Sequence, residues 1–347
     1  MCFRTGLDGP PGLGRFLEDG GATSGVDGRM RRIGPLDEFQ GHPIIVMGTF
    51  DGVHRGHQRL LEHAAAWAGE QSADWLVVTF DPPPSVVLRG EAAPRSLTPL
   101  EEKLEWLDRW GVPGVAVIPF TPALAKWPGD MFLERVVQGQ LHAAGIIEGP
   151  TFTYGAGGRG NLETLKAWGA ANQVAVRVVP PVEVGGAVLS SSRIRAAVAA
   201  GDLAAAAAAL GRPYAAAGVV EPGDGRGRTI GVPTANLALP AAKLMPPAGV
   251  YAGWAWAGNG RWLAVANFGS RPTFDGRGLR LEVHLLDAPP ALDLYGVRLS
   301  MSFGAALRPE QRFAGVDALA AQIRRDITSA RALADAGALP PPAGSLS

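Results

Sequence analysis

Two histidines, His54 and His57, stand three residues apart with Gly56 between them in the stretch MGTFDGVHRGH at 47 to 57. Imidazoles at this spacing can donate to phosphate oxygens while negative charge builds on an α-phosphorus under attack, chemistry that needs no covalent intermediate. Gly48 and Gly52 permit a tight turn and a close approach of backbone to phosphate. The stretch follows an apolar strand-like run and precedes a helical pattern, so a helix beginning near His54 aims its free N–H groups and the positive end of its dipole at the same space. Gly48, Phe50, Asp51 and Gly56 are therefore assigned with the histidines to an ATP phosphate site. An isolated H-x-x-H is an ordinary surface pair, and zinc would need a further ligand. The coincidence of strand, glycines, Asp51 and both histidines favours phosphate chemistry.

Residues 189 to 195, LSSSRIR, form a second anion-directed element. Consecutive serine hydroxyls stand at an expected helix N-cap, Ser191 and Ser192 among them assigned to ATP phosphates, with Arg193 and Arg195 in the first turn. Cations at a helix start oppose the dipole, a penalty that an anion held by the hydroxyls, N–H groups and guanidinium groups would offset. The plain alternative is a serine cap with solvated arginines. Further along, GDGRGRTIGVPTAN at 223 to 236 joins a Gly/Arg loop to a compact PTAN turn. Gly225, Arg226 and Gly231 suit ATP phosphates. The Thr234 hydroxyl, also placed at the phosphates, and the Asn236 amide oxygen are hard ligands suited to Mg²⁺ bridging them. The alternative here is an ordinary turn beside a generic basic loop.

The elements that must position these groups fall into two textures. From Gly41 to about Ala197, short apolar runs at 43 to 48, 75 to 80, 115 to 119 and 174 to 179 alternate with helical segments such as 57 to 69 and 99 to 110, the rhythm of a parallel sheet covered on both faces. An Ala-rich connector interrupted at Gly201-Asp202 follows. Beyond Gly211, β-type runs at 215 to 220, 249 to 256, 261 to 268, 279 to 287 and 297 to 303 predict a small barrel, with helices over 309 to 333 sealing it through Leu319, Ile323 and Ile327. The expected architecture is thus α/β followed by β: a Rossmann-like layer at 34–197, a helical connector at 198–212 and a barrel at 213–333. Disordered ends are expected at 1–33 and 334–347, and Met30 is the expected natural start.

The chain has 347 residues, with 32 basic and 32 acidic side chains. Zero net charge and the lack of a wide basic or aromatic platform argue against nucleic acid as a partner. No apolar run approaches the roughly 20 residues that cross a bilayer. Cys2 is the single cysteine, which excludes an intramolecular disulfide and suits the cytoplasm. Oligomeric state is not legible.

The two N-terminal motifs resemble the HxGH nucleotidyltransferase half of the bacterial bifunctional riboflavin kinase/FAD synthetase family. VTFDPPPSVVL at 78 to 88 and PTFTYG at 150 to 155 narrow the resemblance to flavin. The second half is similar throughout to riboflavin kinases: the PTAN segment, PPAGVYA at 246 to 252, NFGSRPTF at 267 to 274, LEVHLLD at 281 to 287, DLYG at 293 to 296 and LRPEQRF at 307 to 313. The resemblance implies riboflavin, FMN, FAD and ATP as partners, with Mg²⁺ and ATP as co-substrate. It also implies Phe152 and Tyr154 along the flavin, Glu282 as general base toward the ribityl 5'-hydroxyl, and Arg308 beside ligand or loop, where its plain role would be a salt bridge to Glu310. His54, His57 and Arg193 would carry adenylyl transfer. Pro83 stands where the family usually has His, Thr151 where it has Asp or Asn, and Tyr154 where it has Phe. The alternative assignment is therefore a riboflavin kinase whose N-terminal half is inactive, regulatory or specific for another phosphorylated acceptor.

Overall fold

The structure is a computed structural model that describes residues 30–34, 37, 39–223, 231–270, 279–289 and 292–340. Gly225 and Arg226, assigned above to ATP phosphates, lie outside the described residues. The chain forms two compact units. One takes in the described residues up to Phe50, His57–Pro94 and Leu107–Pro181; the other takes in Asp51–Gly56, Arg95–Trp106 and Val182 onward.

The first unit is built on six parallel strands: β1 (Arg31–Ile33), β2 (Ile44–Met47), β3 (Trp75–Asp81), β4 (Gly114–Pro119), β5 (Gly145–Glu148) and β6 (Ala175–Val178). Their spatial order is β1-β4-β3-β2-β5-β6. From β2 the order runs outward through β3 and β4 on one side, with β1 at the edge, and through β5 and β6 on the other, so the β2–β5 junction is a topological switch point, where the carboxyl ends of neighbouring strands leave a crevice. β2 is buried at every position, as a strand covered on both faces must be. Helices α1 (Arg55–Gln71), α2 (Pro84–Arg89), α3 (Leu100–Arg109), α4 (Gly129–Phe132) and α5 (Leu162–Ala171) follow in chain order, α3 straddling the two units. Two strands were not expected. β5 is a four-residue apolar run, and β1 lies inside the segment assigned to a disordered extension, where it pairs in parallel with β4.

The second unit opens on the two-stranded hairpin β7 (Glu183–Val184) and β8 (Ala187–Val188), then α6 (Ser191–Ala200) and α7 (Leu203–Leu210). The interruption expected at Gly201-Asp202 separates these helices: Gly201 ends α6 in the left-handed conformation and the Asp202 carboxylate caps α7 on the Ala205 N–H at 2.9 Å. The barrel strands are β9 (Ala215–Glu221), β10 (Ala235–Ala238), β11 (Gly249–Ala257), β12 (Gly260–Ser270), β13 (Leu279–Leu285), β14 (Arg298–Ser302) and β15 (Ala305–Pro309). They run β12-β13-β10-β9-β14-β11-β15, and the additional β12–β11 pairing closes the first six into a ring. Register sorts the side chains. Val220, Leu237, Leu281 and Phe268 lie opposite one another on β9, β10, β13 and β12 and are buried in the interior.

Helices were expected over 309 to 333, but that span begins at the end of β15, and one helix, α8 (Val316–Asp335), follows. It reaches into the segment assigned to a disordered tail. Rather than plugging the barrel, α8 packs on the outer faces of β11 and β12, where Ile327, Ala330 and Leu333 meet Val250, Ala252 and Val265. No helix among the described residues is long and apolar enough to cross a membrane.

Candidate functional site

In the first unit the carboxyl end of β2 is tied to its neighbour by Glu148, whose Oε1 accepts the Met47 N–H at 2.9 Å. Burial pushes the Glu148 carboxyl well above the usual carboxylate range, opposed by the N–H groups of Met47 and Gly149. The Gly48 N–H donates to Val78 O at 3.0 Å. Phe50 is fully buried at a left-handed φ of 48°, and its ring centroid lies 5.0 Å from that of His57. His57 is the third residue of α1.

The ends of β2 to β5 border a cavity of about 250 Å³ lined by Met47, Phe80, Phe120, Trp127, Phe152 and Tyr154. The rings of Phe152 and Tyr154 stack with centroids 5.7 Å apart and planes at 17°, and the Tyr154 hydroxyl shares a hydrogen bond with Thr164 Oγ1 at 3.1 Å. A wall of aromatic faces with a few fixed polar atoms suits a planar heteroaromatic ligand. Besides Tyr154, the departures of this half sit differently. Pro83 is the cap residue ahead of α2, next to Pro84, which lines the cavity, while Thr151 is exposed.

The second unit holds the turn Asp51–Gly56. Asp51 is its keystone: Oδ1 accepts the Thr98 N–H at 3.0 Å, Oδ2 pairs with Arg195 Nη1 at 2.7 Å, and the backbone oxygen accepts Ser191 Oγ at 2.8 Å. The Gly52 N–H donates to Thr98 Oγ1 at 2.8 Å. Gly52 has φ 89° and Val53 φ 40°, a backbone region costly for a β-branched residue and characteristic of turns held for function. His54 precedes α1 rather than projecting from its surface, and it is 6% exposed. Burial first, and then the charge of Arg212, lower its pKa to about 4, against a backbone hydrogen bond that raises it. A side chain at Gly56 would stand 3.1 Å from Cε1 and Nδ1 of that imidazole, which is why glycine separates the histidines.

At the start of α6 the cap is Ser190, the first of the three serines, its side chain accepting from the Arg193 N–H. Arg195 joins this element to the turn through Asp51 and also donates to Ser192 Oγ at 3.0 Å. Arg193 points elsewhere: Nη1 donates to the carbonyls of Ala187 at 2.7 Å and Val188 at 3.0 Å, and Nη2 to Val184 at 3.3 Å, strapping the β7–β8 hairpin. Asp51, Ser191, Ser192 and Arg195 are thus brought together, and Arg193 is not joined to them through its guanidinium.

On the barrel, Glu221, Asn236, Glu282 and Asn267 lie opposite one another across β9, β10, β13 and β12. They alternate with the interior row described above, so this polar row faces outward. The expected turn at PTAN ends in a strand, since Ala235 and Asn236 belong to β10. A cleft of about 570 Å³ between this face and α8 is lined by Thr234, Asn267, Glu282, His284, Arg308 and Asp326 among others. Arg308 does not pair with Glu310; its Nε and Nη2 grip the buried Asp326 carboxylate at 2.9 to 3.1 Å, and Phe313 lies 5.5 Å from the guanidinium carbon. A second cleft of about 810 Å³ shares Thr234 and His284 and extends to Asp287, Tyr295 and Arg331. Asn236 lines neither, packing instead against Gly223. Gly231, φ 75°, is exposed.

Thr98, Glu148, Arg212 and Asn267 escape the sequence reading. Only Arg212 carries a signal, a cation placed between Gly211 and Pro213 after an apolar helix.

The family model for FAD synthetase matches residues 37–193, and that for riboflavin kinase matches 210–334. A bifunctional riboflavin kinase/FMN adenylyltransferase of Escherichia coli is 37% identical over 83% of this chain and 91% of its own length. The protein of that description from Bacillus subtilis is 34% identical over 84% and 92%. A crystal structure from Streptococcus pneumoniae, described as a macrolide-efflux protein, is 30% identical with a TM-score of 0.77, covering 87% of this chain and 99% of that one. With both halves matched over nearly their whole length, the chain belongs to the bifunctional riboflavin kinase/FMN adenylyltransferase family.

Proposed function

We propose that the two halves carry out successive steps of flavin cofactor synthesis, with ATP as co-substrate for both: the barrel phosphorylates riboflavin to FMN, and the N-terminal half adenylylates FMN to FAD with release of pyrophosphate. The observation that carries this reading is the placement of Glu282 in a cleft that shares Thr234 with its neighbour. A ligand in each cleft would meet at that wall, riboflavin beside Glu282 and Arg308, and the nucleotide beside Tyr295. The 5'-hydroxyl attacks the γ-phosphorus, its proton passes to Glu282, and ADP leaves. Thr234 lines both clefts, so its hydroxyl would be one oxygen ligand to Mg²⁺ there, and Asn236, which lines neither, would add its amide oxygen only by turning away from Gly223. The ion, when bound, would draw charge from the β- and γ-phosphates.

Adenylyl transfer asks for less. The phosphate of FMN is already ionised, so its oxygen attacks the α-phosphorus without a base. What the site must supply is donors to the oxygens that gain charge. His54, His57, Gly48 and the start of α1 supply these at one end. Phe50, Asp51, Gly56, Ser191, Ser192 and Arg195 shape the phosphate turn, while Phe152 and Tyr154 hold the isoalloxazine. Arg193 reaches a phosphate only by leaving the β7–β8 carbonyls. The need for ATP fits a cytoplasmic enzyme.

Separate substitutions test the division. His57→Ala is expected to abolish FAD formation and leave FMN formation intact, and Glu282→Gln the reverse when FMN is supplied. Loss of both activities in either variant would contradict it.

A further inference from the structure

The strained turn ahead of α1 is held by a residue that neither motif contains. Arg212 is 7% exposed, and its Nη2 donates to Gly52 O at 2.7 Å while Nη1 donates to Val53 O at 3.1 Å and Leu210 O at 3.3 Å. Its guanidinium carbon sits 3.9 Å from the ring centroid of Trp106, which is itself buried. A planar fork with fixed donor directions is suited to two successive carbonyls, and stacking on an indole sets its plane. The carbonyls it grips are those of the two left-handed residues that lead directly into His54. A left-handed valine is costly, and the surrounding structure must over-determine it for it to persist.

We propose that Arg212 is a positioning residue for adenylyl transfer: by clamping the carbonyls of Gly52 and Val53 it fixes where the His54 imidazole stands at the phosphate site. This rests on the reading that His54 acts in that reaction. Arg212 lies in the stretch matched by the riboflavin kinase family and the turn in that matched by FAD synthetase. A residue carried with the barrel thereby sets the geometry of the other reaction.

The experiment is steady-state kinetics of both reactions in the full-length chain carrying Arg212→Lys or Arg212→Gln, beside His54→Asn. A lysine keeps the charge but cannot present two parallel donors. A displacement of about 1 Å can cost on the order of 100-fold, so kcat for FAD formation should fall 10- to 100-fold with the KM for ATP changed less than threefold. FMN formation, which reports the folded barrel, should stay within twofold. Unchanged FAD formation in a folded variant overturns the proposal, as does a parallel fall in both activities in Arg212→Lys, which would mark Arg212 as merely structural. If Arg212→Gln loses both, Arg212→Lys is read by the same criteria, and a parallel fall in it too overturns the proposal. Full FAD formation by His54→Asn would instead overturn the role of His54 on which the proposal stands.

Discussion

His54 should remain uncharged well into acid, and the structure sets how far. Its pKa falls from 6.5 to about 4, chiefly through burial and secondarily through Arg212. A shift of about 2.5 units corresponds to about 3 kcal/mol of preference for the neutral form in the folded chain. The sign follows from proton binding: between pH 6.5 and 4 the unfolded chain binds the proton and the folded chain does not. The stability tied to His54 is therefore fully present above pH 6.5, declines as pH falls, and is lost by about pH 4. A neutral imidazole keeps one N–H donor, enough to hydrogen-bond a phosphate oxygen without a titration step at physiological pH. The assay is the imidazole nitrogen shifts of histidine-labelled protein between pH 8 and 5, with the His54 signal among the six histidines identified by its loss in His54→Asn. At pH 5.5 His54 should still be predominantly unprotonated. A His54 that is mostly protonated at pH 5.5 would refute the argument from burial.

Three further outcomes follow from particular contacts. Lys243 is buried with its Nζ donating to Glu102 Oε2 at 2.5 Å and to the carbonyls of Leu97 and Ala215 at 2.6 Å. Lys243→Met leaves Glu102 buried without its cation and should cost about 3–5 kcal/mol by urea unfolding, with Glu102→Gln added to it restoring part of the loss. Gly56→Ala brings a methyl group against the His54 ring and should lower FAD formation roughly tenfold while FMN formation holds, by the sensitivity of transfer to placement. Asp326→Asn weakens the grip on Arg308 and should raise the KM for riboflavin by roughly threefold to tenfold, consistent with the loss of a charged hydrogen bond; an unchanged KM would remove Arg308 from the flavin cleft.

The α/β layering was legible because β2, β3 and β4 are short apolar runs, and β6 an apolar run broken by Arg177, with helical periodicity between them. β5 escaped because four residues carry little pattern. β15 escaped because Ala-Ala-Leu-Arg-Pro has no alternation, and β10 because proline and glycine before it read as a turn; both are held in place by neighbouring strands. The histidines and serines stand out by type and spacing, whereas Glu282 is singled out only through the family resemblance. What spacing does not encode is which carboxylate an arginine meets. Arg308 is two residues from Glu310 but pairs with Asp326, because α8 returns across β15. Arg193 sits two residues from Arg195, yet one binds hairpin carbonyls and the other Asp51. Arg212 meets carbonyls about 160 residues earlier in the chain, a contact made by folding alone.

The central claim is that one chain performs both reactions in order. The most direct test follows FMN and FAD separately over time after the chain is mixed with riboflavin, ATP and Mg²⁺. FMN should appear first and then be converted to FAD, with pyrophosphate released in step with FAD. Accumulation of FMN with no FAD, even when FMN and ATP are supplied at the outset, would contradict the account of the N-terminal half, and the absence of both products would contradict the whole.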